Sequence, residues 1–183
     1  MDGMRRKLPS VTPRITPGNV PDRERRSTVC RNLISGNGLR GVLLNNVGTL
    51  GNVVAGNYIG TNAAGTAAVA NGIDGVLIAG GARFTRVGTD GSRDTFNGNE
   101  RNVISGNALN GIYVAGGSAL ITGNWIGVGV DGTTALGNGS RGVFVQAVDV
   151  EIGGVGTGEG NVIHNNGVGV EIIAGSSGVR VQG

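Results

Sequence analysis

Short apolar segments of three to five residues, each bounded by Gly or Asn, recur along this chain at regular intervals. One is Asn-x-Ile followed by Gly, Ser or, in the last copy, His; the other is Gly-(Val/Ile)-x-(Val/Ile/Leu). The two alternate, and successive copies of each lie about 32 residues apart on average. Repetition at this period indicates a solenoid, in which each repeat buries its apolar face against its neighbours. Copies of the first begin at Asn32, Asn57, Asn102, Asn124 and Asn161, and copies of the second begin at Gly41, Gly75, Gly111, Gly142 and Gly169.

Within each segment apolar and polar residues alternate, and Val and Ile are frequent, which is typical of β-strands. Helical periodicity is absent, and the 38 Gly residues leave no run that could support a long helix. We therefore predict an all-β fold, a right-handed parallel β-helix of about five rungs, where a rung is one turn of the coil. Because aromatic residues make up only 3% of the chain, stacked aliphatic side chains must supply the core.

Equivalent residues on successive rungs of such a coil stack about 4.8 Å apart, so the repeats predict columns of side chains. Asn37, Asn107 and Asn166 are expected at turns, where stacked amides can bond one another from rung to rung. Two aliphatic columns should face inward. The first contains Ile34, Ile59, Ile104, Ile126 and Ile163, and the second contains Val42 with Leu44, Val76 with Ile78, Ile112 with Val114, Val143 with Val145 and Val170 with Ile172.

The positive charge of the chain is concentrated at its N-terminus. Residues 1–31 contain eight Arg or Lys and three acids, whereas residues 32–183 contain seven and nine. All four prolines also lie in the N-terminal segment. We therefore predict a disordered basic tail over residues 1–30 and a β-helix over residues 31–183.

The tail permits two interpretations. Its charges could contact nucleic acid or an anionic membrane, but no aromatic residues are interleaved with them, so we favour a solvated leader and no nucleic-acid partner. It lacks the apolar segment of a signal peptide, and no stretch approaches the roughly 20 apolar residues of a membrane span. Cys30 is the only cysteine, which excludes an intrachain disulfide. The residues that would carry the contact are Arg5, Arg6, Lys7, Arg23, Arg25 and Arg26.

Three segments of the chain resemble the repeats of a known group of proteins. They are residues 56–68, 101–107 and 151–154. They resemble the repeats of the large right-handed parallel β-helix proteins of bacteria, the pectate-lyase-like superfamily in its broad and often noncatalytic sense. The resemblance covers about residues 31–183 and implies a secreted or cell-surface protein whose partners are polysaccharides or other surface components. Some members cleave acidic polysaccharides. The chain resembles a fragment or truncated member, and the uncapped ends of its β-helix invite end-to-end self-association.

Carboxylates are the first candidates for catalysis. Polysaccharide hydrolysis needs two of them about 5 to 10 Å apart, and lyase chemistry needs a base with a cation or Arg. Asp149 and Glu151 alternate on one strand and should face the same side, roughly 7 Å apart. Glu171 is expected on a different wall of the coil. We interpret all three as solvated surface groups and predict no catalytic residue, with these three as the candidates if the chain is an enzyme.

Calcium is the only metal that the sequence suggests. Asp90 and Asp94 lie in one loop, and Asp131 lies in the second of two aligned insertions. Calcium requires six to eight oxygen ligands, more than these residues supply, and Asp-Gly is also ordinary turn chemistry. We therefore expect no cofactor, with calcium as the alternative.

An apolar row accompanies the first repeat on its outward side. It holds the residues after each repeat Asn, and its aromatic members Tyr58 and Trp125 should lie two rungs apart, roughly 10 Å. An exposed row of this kind would contact carbohydrate. The favoured alternative is that the insertions fold back and cover it. The row contains Leu33, Tyr58, Val103, Trp125 and Val162.

Two functions follow as expectations. The first is a noncatalytic structural or adhesive, carbohydrate-contacting module of a secreted or surface protein. The second is a divergent or truncated polysaccharide lyase or glycoside hydrolase, which rests on analogy of fold alone.

Overall fold

The computed structural model describes residues 31–91 and 97–183, so the predicted tail lies outside the described residues. The described part contains fifteen β-strands and one short helix, α1 (Asn97–Glu100). The strands are β1 (Leu33–Ile34), β2 (Val42–Leu44), β3 (Val53–Val54), β4 (Tyr58–Ile59), β5 (Val76–Ala79), β6 (Thr85–Gly88), β7 (Val103–Ile104), β8 (Ile112–Ala115), β9 (Ala119–Thr122), β10 (Trp125–Ile126), β11 (Arg141–Val145), β12 (Val150–Ile152), β13 (Val162–Ile163), β14 (Val168–Ile172) and β15 (Arg180–Val181).

The strands form three parallel sheets of five strands each, and each turn of the chain contributes one strand to every sheet. Strands β1–β3 form rung 1, β4–β6 rung 2, β7–β9 rung 3, β10–β12 rung 4 and β13–β15 rung 5. The first sheet has the order β1-β4-β7-β10-β13, the second β2-β5-β8-β11-β14 and the third β3-β6-β9-β12-β15. The predicted parallel β-helix architecture of five rungs is confirmed; its right-handedness stays a prediction.

Both predicted aliphatic columns are present in register. Ile104 on β7 pairs directly with Ile126 on β10, and both are fully buried. On the second sheet Val143 pairs with Ile112, and Val145 pairs with Val114. Burial of each such side chain contributes about 1.5–3 kcal/mol, so these columns hold the rungs together. A third column, which was not predicted, lines the third sheet and contains Val54, Val87, Ile121, Ile152 and Val181.

Side-chain amides form two ladders along the coil. In the ladder at the turn after the first sheet, Asn107 donates to Asn138 at 2.8 Å and accepts from Asn71 at 2.8 Å. The Asn107 amide also donates to the carbonyl of Ile59, so its buried polar atoms are satisfied. This ladder confirms the predicted bonding from rung to rung. Its members are Asn37, Asn71, Asn107, Asn138 and Asn166. The second ladder contains the repeat residues Asn32, Asn57, Asn102, Asn124 and Asn161.

The two insertions leave the coil at equivalent points, in rungs 2 and 4. Residues 60–70 form the first excursion and residues 127–137 the second, each closed by an antiparallel bridge, Thr61 to Ala68 and Val128 to Ala135. Each begins at a glycine with positive φ, Gly60 or Gly127. A β-carbon at Gly60 would lie 2.3 Å from the Ser105 carbonyl oxygen, so this close approach requires glycine.

Candidate functional site

A groove runs along the outer surface of the third sheet. It consists of three depressions with volumes of about 290, 430 and 170 Å³. The first and second share Asp149, and the second and third share Glu151. From Phe84 in rung 2 to Arg180 in rung 5 the groove crosses three rung spacings, roughly 14 Å. Aromatic, acidic and basic side chains therefore line one extended surface.

Phe84 stands at the rung-2 end of the groove, and its side chain is 70% exposed. Its φ of 55° lies in the left-handed region, which is rare for a bulky residue. Rungs 1 and 5 have Gly51 and Gly178 at the equivalent turn, both with positive φ. The Phe84 N–H donates to the Ser118 hydroxyl at 3.1 Å, which helps to hold the turn. A large exposed ring thus occupies a position where the backbone favours glycine.

The fourth rung places Asp149 at this same turn position, also with positive φ, at 54°. Asp149, Glu151 and Arg180 line the 430 Å³ depression together, but β12 begins at Val150 and Asp149 precedes it in a left-handed turn, so the two carboxylates do not alternate on one strand as expected. Glu151 pairs in register with Arg180 and accepts a hydrogen bond from Gln182. This depression brings two carboxylates and a guanidinium together.

Glu171 belongs to β14 of the second sheet, as expected, and not to the groove. It forms an ion pair with Arg141, whose guanidinium lies 4.5 Å from the ring centre of Phe144. The Phe144 ring stacks on Tyr113 with centroids 4.7 Å apart. Glu171 therefore belongs to a side-chain cluster on the outside of the second sheet, together with Arg141, Phe144 and Tyr113.

The acidic residues proposed for calcium lie in separate places. Asp94 is outside the described residues, and the Asp90 N–H donates to the Glu100 carboxylate at 2.9 Å. Asp131 accepts hydrogen bonds from the Thr134 hydroxyl and from the N–H groups of Thr133 and Thr134. The Thr134 hydroxyl and these N–H groups hold the pKa of Asp131 well below its ordinary value. Within residues 31–91 and 97–183, no three His, Cys, Asp or Glu side chains are grouped to hold a metal ion.

The excursions cover the middle of the apolar row on the first sheet. Tyr58 is only 7% exposed and Val103 only 2%, whereas Leu33 at the end of the row is 51% exposed. A β-carbon at Gly65 would lie 3.2 Å from the Tyr58 ring, and one at Gly132 would lie 3.2 Å from the Trp125 ring. The excursion backbones thus pack on both rings, and Trp125 keeps a half-buried surface.

Two arginines stack on these aromatic rings in equivalent ways. The guanidinium carbon of Arg31 lies 5.0 Å from the ring centre of Tyr58, and that of Arg101 lies 4.3 Å from the ring centre of Trp125. Arg31 also donates to the Tyr58 hydroxyl at 2.5 Å. Burial lowers the pKa of Arg101 below its ordinary value. Between the two stacks lies a cleft of about 100 Å³, room for a few water molecules rather than for a sugar ring. Carbohydrate contact by Tyr58 and Trp125 stays a prediction.

The architecture defines the class of this protein: a parallel β-solenoid with three faces and paired asparagine ladders. No protein family, curated protein or solved structure matches the chain. The resemblance to pectate-lyase-like proteins therefore stays a prediction. Over the part of the chain that the structure describes, no helix has the length and apolar character needed to cross a membrane.

Sequence reasoning missed Phe84 and Arg180 as members of the candidate site. The available signal was positional: aligned rungs place Phe84 where other rungs have Gly51 and Gly178. A large aromatic residue that replaces glycine at a repeated turn is a local exception, and such exceptions often mark functional positions.

Proposed function

We propose that this chain is a noncatalytic structural or adhesive module of a secreted or cell-surface protein, and that it contacts carbohydrate through the groove on its third sheet. The observation that carries the proposal is Phe84, a ring 70% exposed in a left-handed backbone conformation. The secreted or surface setting rests on the resemblance of the repeats.

The composition of the groove supports a carbohydrate ligand. An exposed aromatic ring offers a flat apolar surface to the C–H face of a sugar. The neighbouring carboxylates of Asp149 and Glu151 accept hydrogen bonds from hydroxyl groups, and Arg83 and Arg180 donate to ring and hydroxyl oxygens. Because the groove runs along the coil axis, it suits an extended chain of several sugars rather than a single one.

The scaffold beneath the groove supports a structural role. Ladder amides such as Asn102 and Asn124 are fully buried and hydrogen-bonded to their neighbours on both sides. Such networks hold the rungs at fixed spacing, so that binding costs little conformational entropy.

Binding to a panel of neutral and acidic polysaccharides, measured by affinity electrophoresis or calorimetry, tests the proposal. We expect Phe84→Ala to weaken binding at least tenfold. Trp125→Ala tests the competing surface on the first sheet, and Val155→Ala, at a side chain 92% exposed outside the groove, is the matched control. Loss of binding in Trp125→Ala alone would assign the contact to the first sheet. Absence of binding to every polysaccharide would refute the carbohydrate contact.

One observation favours a second candidate function, a divergent or truncated polysaccharide lyase or glycoside hydrolase. The 430 Å³ depression combines Asp149, Glu151 and Arg180, the kinds of group that acid–base cleavage of a polysaccharide employs. In this alternative one carboxylate removes or donates the proton, and Arg180 stabilises negative charge on the substrate.

Incubation with acidic polysaccharides separates the two functions. Unsaturated or reducing products that disappear in Glu151→Gln and in Arg180→Ala, but persist in Glu171→Gln, would establish the enzyme. Binding without products, in the same preparation, supports the noncatalytic module.

A further inference from the structure

A pair of arginines on the first sheet repeats at an interval of two rungs. Both stand directly before a repeat Asn, and each stacks on an aromatic ring of the next rung, Arg31 on Tyr58 and Arg101 on Trp125. Tyr58 and Trp125 pair in register with Val103 between them, so the two stacks lie in one column, roughly 10 Å apart. Two guanidinium groups therefore line one small cleft. The position before the repeat Asn alternates between Arg31 in rung 1, Gly56 in rung 2, Arg101 in rung 3 and Gly123 in rung 4.

No carboxylate in the described part of the chain pairs with either of these two arginines. The ion pairs found there engage other arginines, namely Arg40, Arg86 and Arg141. Glu100 directly precedes Arg101, yet its carboxylate accepts hydrogen bonds from the Arg86 guanidinium at 3.1 Å and from a backbone N–H at 2.9 Å. The positive charges at the cleft are therefore not neutralised by the described side chains.

Arg101 is the more enclosed of the two arginines, and much of its hydrogen-bonding capacity is unused. A guanidinium carries five N–H donors in a planar fork. The donor on Nε bonds the Gly123 carbonyl at 3.1 Å, while the terminal nitrogens donate to no described residue. Burial lowers the pKa of Arg101 because the charged form is desolvated there. An anion that accepted the remaining N–H groups would offset this desolvation.

The size of the cleft limits what can bind there. Its volume is about 100 Å³, and its lining includes Val103, which is only 2% exposed, and Val130 of the second excursion. A tetrahedral oxyanion fills about the space of two water molecules, roughly 60 Å³, whereas a sugar ring needs more room than the cleft provides. Arginine forks match the oxygens of such an anion, because one fork can bond two of them.

We propose that this cleft binds a single tetrahedral oxyanion, sulfate or phosphate, between Arg101 and Arg31. Arg101 supplies the terminal N–H groups of its fork, and Arg31, which already donates to the Tyr58 hydroxyl, supplies a second positive charge. Stacking on the two rings holds both side chains in place, so little side-chain entropy is lost on binding. The anion is either a free inorganic ion or an ester group of a sulfated polysaccharide. The site is separate from the groove on the third sheet, and neither proposal depends on the other.

Trp125 is the only tryptophan of the chain, so its fluorescence reports on the cleft directly. Sulfate and phosphate are titrated into the 183-residue chain at constant ionic strength, with chloride as the balancing anion, and calorimetry gives a second measure of binding. Arg101→Gln removes the charge, and Arg101→Lys keeps the charge without the planar fork. Arg14→Gln, which removes a positive charge from the N-terminal segment, is the matched control. Circular dichroism verifies that each variant is folded.

We expect a saturable response to sulfate or phosphate in the unmodified chain and in Arg14→Gln. Binding should weaken at least tenfold in Arg101→Gln, and by a smaller factor in Arg101→Lys and in Arg31→Gln. A response that is absent, that chloride reproduces, or that persists undiminished in Arg101→Gln would overturn the proposal.

Dextran sulfate and unsulfated dextran distinguish the two sources of the anion. Tighter binding of dextran sulfate, displaced by inorganic sulfate and lost in Arg101→Gln, would identify ester groups as the ligand. Binding of the inorganic ion alone, again lost in Arg101→Gln, would establish the site as one for a free ion.

Discussion

Four non-glycine residues adopt a positive φ in the described part of the chain, and Phe84 has the bulkiest side chain among them. The others are Asn46, Asp149 and Asn165, whose short polar side chains tolerate this conformation. A left-handed conformation costs a residue with a β-carbon roughly 1–2 kcal/mol. The Phe84 side chain, being 70% exposed, recovers little of this cost by burial.

Replacement of Phe84 by Gly should therefore stabilise the protein while it removes the exposed ring. We expect the free energy of unfolding to rise by about 1 kcal/mol in Phe84→Gly, measured by denaturant unfolding. Phe84→Ala retains the β-carbon and should bring no such gain. A loss of stability in Phe84→Gly would show that the ring has a structural role.

Because of Asp131, the free energy of unfolding should depend on pH in the acidic range. Hydrogen bonds from Thr134 and Thr133 hold its pKa in the folded chain below its value in the unfolded chain, about 3.9. Its contribution is fully present above that unfolded value and is lost as the pH falls towards the folded pKa. Denaturant unfolding between pH 5 and pH 2 should show a steeper loss of stability in the unmodified chain than in Asp131→Ala. Equal slopes would contradict this expectation.

At the scale of elements, sequence periodicity predicted two of the three sheets and much less of the third. The first two sheets carry fixed marker residues, Asn before β1 or Gly before β2, because a ladder amide or a close backbone approach is needed there. A β-carbon at Gly41, for example, would lie 2.7 Å from the Gly75 carbonyl oxygen. The strands of the third sheet share only an alternation of apolar and polar residues and have no fixed marker residue, so their register depends on tertiary packing.

The turn ladder was also only partly predictable. Asn37, Asn107 and Asn166 lie at a constant distance after the repeat Asn, whereas Asn71 and Asn138 follow the excursions and appear displaced in the sequence. Only folding of the excursions returns them to the same column. The groove could not be predicted from the sequence either, because its residues come from four rungs and share no sequence motif.

Removal of one interior amide should be costly because its neighbours lose their partners. Asn107 is 2% exposed and bonds Asn71, Asn138 and the Ile59 carbonyl. Each buried group left unsatisfied costs about 1–3 kcal/mol. We expect Asn107→Ala to lower the free energy of unfolding by about 3 kcal/mol and Asn37→Ala, at the exposed end of the ladder, by less than half as much. Equal losses in the two variants would show that the ladder does not act through buried amides.

On the scale of the whole molecule, the strands of each rung pair only with the strands of the rungs beside it, although the excursions of rungs 2 and 4 also touch, where the Val130 N–H donates to the Gly65 carbonyl. Stability in such an array is a sum of terms from each rung and from neighbouring interfaces, so the ends open before the centre. Ile104 and Ile126 are fully buried, while Ile172 and Val181 in rung 5 are largely accessible.

Hydrogen exchange should reveal this gradient directly. In dilute solution, amides of β7 and β10 should exchange at least tenfold more slowly than those of β13 and β15. Uniform exchange along the coil would indicate cooperative unfolding of all five rungs and contradict the expectation of independent end opening.

Each excursion is fixed to the coil at both of its ends, and this determines which changes of length and sequence the excursions can accept. Ser35 and Ser105 each bond the root of an excursion, through Gly60 and Gly127, and Asn71 and Asn138 fasten the far ends into the turn ladder. Doubling the length of a loop held at both ends adds only about 0.6 kcal/mol of closure entropy. Lengthening the first excursion at its exposed residue Ala63 should therefore cost the coil little stability, whereas Gly65 and Gly132, which pack on Tyr58 and Trp125, should not tolerate larger residues.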